Sequence, residues 1–406
     1  MKILIIIVLC ITFCSCVDNN LPLPIPEWTE NLDKLKNAVP IPEVLLHKLE
    51  GVYRVEQGKA LFGDQVVLRQ FAHKITLACQ TGTYFVFESG FVDSLAIFQG
   101  YWRFDLGTQT GLADLKVKKD FNAQTGDTSL VLSGSYYGNK GINGTPFELK
   151  FIRKFKDTSN TFLILDHHGG RNEYGLPYSE NSLGIIPIAE EIGANGIELD
   201  VRLTKDNVPI LFHDDNLSTN LVNGEFAIGP VNNYTLAQLR ALCTLKDGSP
   251  IPTLQEAFDV ILSKTSYQSL WLDIKTPETV SYVLPLQIAF LKQATLSGRV
   301  IECWVGLTSE EHITNYLADS LHTQAPSICE LDPSDVERAG SVAWGPRWTQ
   351  GSLSNEAMQI RSEGKKVIYW TLDKAEFIVP FINHGNLDGI LTDHPALVSY
   401  HYYSRN

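Results

Sequence analysis

Two adjacent histidines, His167 and His168, follow the apolar run FLILD, and two carboxylates, Glu198 and Asp200, stand two apart in GIELDVRL. His213 and Asp214 end the run VPILFHD, and Asp273 and Lys275 share SLWLDIKT. Imidazole exchanges a proton near neutral pH, and gathered carboxylates suit a hard cation. No cysteine stands in these runs, which favours Ca²⁺ or Mg²⁺ over zinc. Singly, each group has an ordinary structural reading: a strand carboxylate is usually paired or solvated, and a lone His is usually a satisfied neighbour. Four consecutive strand-like runs that all end in ionisable groups exceed structural need, because each uncompensated buried charge costs roughly several kcal/mol.

The elements that must hold these groups alternate in type. Candidate strands FLILD, GIELDVRL, VPILFHD, SLWLDIKT, RVIECWV, PSICEL, KVIYWTLD and DGILTD are separated by stretches with apolar residues at three and four spacing, such as IPTLQEAFDVILSK and VLPLQIAFLKQAT. Strand–helix repetition over about 250 residues predicts a (β/α)8 barrel, with its chemistry at the C-terminal ends of the strands. A ninth strand-like run, SVAWGP, is placed in the connection before the seventh strand. Being two apart on one strand, Glu198 and Asp200 point to the same face, as do Asp273 and Lys275.

Ahead of that region, residues 44–156 read differently. Short runs such as GVYRVEQG, TYFVFESG and SLVLSGSYYG are rich in Val, Phe and Tyr and are punctuated by Gly, Asp and Asn. They predict an all-β accessory domain, barrel or sandwich, joined to residues 161–406 by a polar hinge from Lys156 to Asn160. Residues 17–43 carry Pro22, Pro24 and Pro26 and read as an extended Pro-rich linker. Residues 1–16, MKILIIIVLCITFCSC, read as a signal or lipoprotein targeting segment. Cys16 is then the lipidated residue, and the protein is exported and tethered to a membrane facing the periplasm or cell surface, with plain secretion as the alternative. Cys79, Cys243, Cys303 and Cys329 are widely spaced and read as free thiols. The net charge of −13, without a basic block, argues against a nucleic-acid partner.

Taken in order, these motifs resemble the glycerophosphodiester phosphodiesterase family. HHG at 167–169, ENS at 180–182 and GANGIELDVRLTKDN at 193–207 match it, as do HD at 213–214, DIK at 273–275, WT at 370–371 and DGILTDHP at 388–395. The resemblance spans residues 163 to about 397. It implies a TIM-type barrel enzyme that uses a divalent cation to hydrolyse a glycerophosphodiester to glycerol 3-phosphate and an alcohol. It implies His167 and His213 as the general acid–base pair, Lys275 as a catalytic cation, and Glu198, Asp200 and Asp273 as metal ligands. His168, Arg171 and Trp370 are then substrate-binding.

Three departures stand out. His168 occupies the place of a family Arg, and Arg171 is the nearby cation able to replace it. Asp273 shortens the usual Glu by one methylene. Ser179 and Ser182 flank Glu180–Asn181 and remain able to cap the next helix, within which Pro187 predicts a kink or a late start. Two alternatives share the sequence: the same chemistry on lysophospholipids or another phosphodiester, and a barrel without activity serving as a surface binding module.

Overall fold

The computed structural model describes residues 22–71, 73–121, 128–156, 162–171, 175–224 and 227–405. The targeting segment with Cys16, and most of the polar hinge, lie outside the described residues. No helix among the described residues is long and apolar enough to cross a membrane.

The N-terminal strands close into an antiparallel barrel. Its strands are Gly51–Gln57, Gln65–Phe71, Lys74–Cys79, Thr83–Val92, Leu95–Phe104, Thr110–Phe121, Thr128–Tyr136 and Thr145–Arg153. Each pairs with the next, and the last pairs with the first through Tyr53↔Phe151 and Val55↔Leu149. Alternation sends Phe85, Phe87, Leu77 and Cys79 inward, where Phe62 stacks on Phe85 at 4.8 Å and meets Phe147 at 4.9 Å. The interior is thus a ring-filled core. The opposite faces of the same strands are also apolar. Val67, Ala78, Tyr84, Val86 and Tyr101 pack on Ile192, Ala396 and Tyr400 of the second barrel. A strand covered on both faces loses its polar alternation, which explains the continuous apolar run TYFVF.

Eight parallel strands form that second barrel: Leu163–His167, Gly196–Leu203, Ser269–Ile274, Glu302–Leu307, Ser327–Cys329, Ala343–Trp344, Lys366–Tyr369 and Gly389–Thr392. The eighth pairs with the first, so the sheet is closed. The expected (β/α)8 architecture is present, with one exchange among its strands. VPILFHD is not a barrel strand, since Pro209–Leu211 folds back antiparallel on the second strand through Leu203↔Pro209. SVAWGP takes its place, and Ala343–Trp344 is the sixth strand. Hydrophobic runs record burial on a sheet, and both segments are buried there. Direction and partner are decided by the closure of the ring.

Layers follow the alternation. Leu163, Leu165, Trp271, Trp304, Ile328, Ala343, Ile368 and Leu391 fill the barrel, while Ile164, Ile197, Leu199 and Val201 face the surrounding helices. The helix after the first strand runs Ile185–Glu191, so it starts late, as Pro187 predicts, with Ser182 Oγ accepting the Ile185 N–H at 3.3 Å. Ser179 does not cap it. Its hydroxyl accepts the Asp247 N–H at 2.8 Å and ties this connection to the insertion between Pro209 and Thr253. That insertion has its own small core around Phe212, Leu217, Val231, Leu239 and Leu245.

The Pro-rich stretch differs from expectation. It is extended, as its prolines require, but its described part lies along the molecule. The Leu23 N–H donates to the Gly175 carbonyl at 3.2 Å, and the Trp28 indole donates to the Gly100 carbonyl at 3.1 Å. Ile25 packs on apolar clusters of both barrels. These residues form a strap across the two barrels.

Candidate active site

Strand register brings the charged groups together. In the parallel barrel His167 stands opposite Glu198, and Asp200 stands opposite Asp273. Neighbouring strands lie about 4.8 Å apart, so two such pairs at one end of the ring fall within reach of a single ion. Ligand atoms of Glu198, Asp200 and Asp273 lie within 4.8 Å of one another, and so do those of His167, His168 and Glu198. Glu198 Oε1 is buried without a hydrogen-bond partner among the described residues. An orphaned carboxylate oxygen in an acidic cluster suits an oxygen-preferring divalent cation, so the residues present fit such an ion.

The electrostatics divide the carboxylates. Burial, then the Asp200 charge, pushes Glu198 well above the usual carboxylate range. Asp200 is fully buried, which alone would raise it, yet the Lys275 and His168 cations hold it well below that range. Lys275 Nζ sits 2.7 Å from Asp200 Oδ1 and also contacts Asp273. Asn181 completes the frame, donating to Asp200 Oδ2 at 2.6 Å and accepting the Asp200 N–H at 3.1 Å.

The three histidines form a row. The His167 and His168 rings stack at 3.8 Å, and His213 meets His168 edge-on at 5.6 Å. His168 lies beneath the surface. Its N–H donates to Glu198 at 3.0 Å, and its Nδ1 is 3.0 Å from Asp200 Oδ2. Desolvation favours the neutral ring, but Asp200 outweighs it and pushes His168 up to about 10. The residue in the family Arg position is therefore a standing cation, turned toward carboxylates. Burial, helped by that cation, lowers His167 to about 4 and leaves its ring neutral at neutral pH.

Each outer histidine has a carboxylate on Nδ1: Asp393 for His167 at 2.7 Å and Asp214 for His213 at 2.8 Å. Such a partner fixes the ring and leaves Nε2 for chemistry. Asp393 is itself held down to about 2, against its burial, by His167 and then by His168 and Arg171. Arg171 Nε lies 3.0 Å from Asp393 Oδ2, with the side chain 43% exposed at the mouth of the site. Trp370 is half-buried above the barrel core, and its indole donates to the Gly345 carbonyl at 2.7 Å.

Four groups escaped the residue-by-residue reading. Asp393 and Asn181 lay inside motifs already recognised, yet their partners are distant in sequence. Glu330 directly follows the fifth strand; burial, then the Asp273 charge, pushes its carboxyl well up. Its run, PSICEL, gave the only signal. Arg202 was hidden as an ordinary strand residue. Its Nε donates to the His213 carbonyl at 2.9 Å and its Nη1 pairs with Asp215 at 2.5 Å. Because His213 sits on the insertion and not on a barrel strand, this clamp fixes its position. Arg202→Ala is expected to lower kcat about tenfold, about 1.4 kcal/mol, with KM nearly unchanged. Arg202→Lys should restore only part of it, since Lys lacks the fork. Unchanged kcat in the Ala variant would detach Arg202 from His213.

The sequence profile of the "Glycerophosphoryl diester phosphodiesterase family" matches residues 167–282. A glycerophosphodiester phosphodiesterase of Caldanaerobacter subterraneus is 29% identical over 249 residues, covering 57% of this chain and 94% of its own. One of Bacillus subtilis is 24% identical over 258 residues, covering 57% and 83%. A solved structure, an Oleispira antarctica phosphodiesterase in complex with the product sn-glycerol-3-phosphate, is 21% identical, covers 58% of this chain and 94% of that one, and gives a TM-score of 0.47. The barrel with histidines and carboxylates gathered at its strand ends, together with the family match, defines a phosphoric diester hydrolase. Over residues 167–282 the chain carries the profile of the glycerophosphodiester phosphodiesterase family, and its C-terminal part is similar to enzymes of that name.

Proposed function

We propose that the protein hydrolyses a glycerophosphodiester to glycerol 3-phosphate and an alcohol, with His167 and His213 as the proton-transfer pair. The observation that carries this reading is the paired register, His167 with Glu198 and Asp200 with Asp273, inside the matched segment. His167 is neutral, and Asp393 holds its Nδ1, so Nε2 accepts a proton from the attacking water, whose oxygen goes to phosphorus. A P–O bond forms as the bond to the alcohol breaks, and His213 gives its proton to the departing alkoxide. Lys275 and Arg171 supply positive charge to the phosphoryl oxygens. Glu198, Asp200 and Asp273 would hold a Ca²⁺ or Mg²⁺ ion, which supplies charge neutralisation at phosphate when bound. Trp370 forms a wall of the pocket beside the bound diester.

The test is hydrolysis by the purified full chain, followed as released glycerol 3-phosphate from glycerophosphocholine, with lysophosphatidylcholine in parallel. Turnover of glycerophosphocholine that a chelator abolishes and Ca²⁺ or Mg²⁺ restores is expected. Preference for lysophosphatidylcholine would move the substrate to lysophospholipids, and no turnover of either would support a binding module.

A further inference from the structure

Two charged side chains of the N-terminal barrel are buried against the catalytic end of the parallel barrel. Arg103 and Asp105 lie two apart at the end of the strand Leu95–Phe104, 1% and 5% exposed. Arg103 donates to the carbonyl of Gly175, in the connection that leaves His167, His168 and Arg171. The strap residue Leu23 donates to the same carbonyl. Asp105 reaches His394, 3.4 Å from its Nδ1 and 3% exposed.

His394 follows Asp393, the carboxylate on which His167 and Arg171 both rest. The turn from Thr392 to His394 is held from the parallel barrel's own side by Asp373, which accepts from Thr392 Oγ1 at 3.0 Å and from the Asp393 N–H at 2.8 Å. Asp105 holds it from the N-terminal barrel. Buried charges cost several kcal/mol, roughly, unless they are paired. A barrel needing only to adhere to its neighbour would do so through apolar contact, and Val67, Tyr84, Val86 and Tyr101 already provide that.

We propose that the N-terminal barrel completes the catalytic site, with Asp105 as a positioning residue that sets His167 through His394 and Asp393, and Arg103 as a positioning residue for the connection bearing Arg171. This rests on the proposed role of His167. Asp166, fully buried one residue before His167, lies in the same field: burial, then Asp393 and Asp105, push its carboxyl up. Arg69 offers a control elsewhere on the interface, donating to the Gly193 carbonyl at 3.1 Å just before the second strand.

The full chain is assayed as Asp105→Asn, Arg103→Lys and Arg69→Ala, with kcat, KM and the unfolding temperature measured for each. Asp105→Asn is expected to lower kcat at least tenfold with KM within twofold, while Arg69→Ala lowers the unfolding temperature and keeps kcat. In an Asp393→Asn background, Asp105→Asn should cost less than twofold further, because its route to His167 is already cut. Should Asp105→Asn fail to fold, His394→Asn severs the same link from the other barrel and is read identically. Retained kcat, additive losses with Asp393→Asn, or losses in all three variants that simply follow the unfolding temperature would overturn the proposal. A second readout needs no substrate. The His167 ring N–H bonded to Asp393, seen by NMR in ¹⁵N-His-labelled protein, should shift in Asp105→Asn and not in Arg69→Ala. If wild-type turnover or its dependence on His167 is absent, the catalytic reading fails, while this signal still decides whether Asp105 governs the His167–Asp393 pair.

Discussion

Replacing His167 by Ala is expected to lower kcat for glycerophosphocholine by about 1,000-fold, within the 100- to 10,000-fold range typical of a positioned acid or base. The fold should survive. The ring is partly exposed, and its loss leaves Asp393 with Arg171 as a partner, so no carboxylate is stranded. His213→Ala should give a loss of similar size, because in the proposed mechanism the two rings serve opposite ends of one displacement. The double variant should then lose little more than either single one, as groups that act as a unit do. A rate measurement on the three proteins decides. Retention of more than about a tenth of wild-type kcat in His167→Ala, alongside unchanged cation binding, would remove it from the mechanism.

The second large effect separates two neighbouring carboxylates. Glu198→Gln and Asp200→Asn should both abolish the response to Ca²⁺ or Mg²⁺ and with it most of the activity. Their effects on the metal-free protein should be opposite. Glu198 has its folded pKa raised, so the folded state binds the extra proton and stability falls as pH rises through that window. Burial and the Asp200 charge make the ionised form of Glu198 costly, and Gln removes that cost, so Glu198→Gln should be as stable as the wild type or more so. Asp200 has its folded pKa depressed, and its contribution is present at neutral pH and lost only in acid. It also partners Lys275 and His168. Asp200→Asn takes the carboxylate from the buried His168 and leaves Lys275 with Asp273 alone, which costs about 3–5 kcal/mol. Chemical denaturation in chelator, followed by melting with and without added cation, tests this. Equal destabilisation by the two substitutions would refute the division between them.

Much of the site was legible because its chemistry is local in sequence. Glu198 and Asp200 share a strand face by simple alternation, and Asp273 and Lys275 do the same one strand further on. His213 was recognised for its neighbour Asp214, but not for where it is held. Read as the end of a barrel strand, it proves to ride on an antiparallel hairpin and an insertion, clamped by Arg202. A hydrophobic run of given length is buried equally well in either place, so periodicity could not separate VPILFHD from SVAWGP.

The amino-acid sequence by itself determined two architectures, one all-β and one of alternating strands and helices, and the set of histidines and carboxylates that one of them carries. Patterning suffices there, because the apolar period and the placement of charges are properties of single elements. Only the tertiary structure decided which strands close the ring and which histidine is a standing cation. Only it brought Asp393, Asn181 and Arg202 to the side chains they hold, and Asp105 to the turn behind His167. Register, burial and pairing across long stretches of chain fix those properties, and no local pattern of residues encodes them.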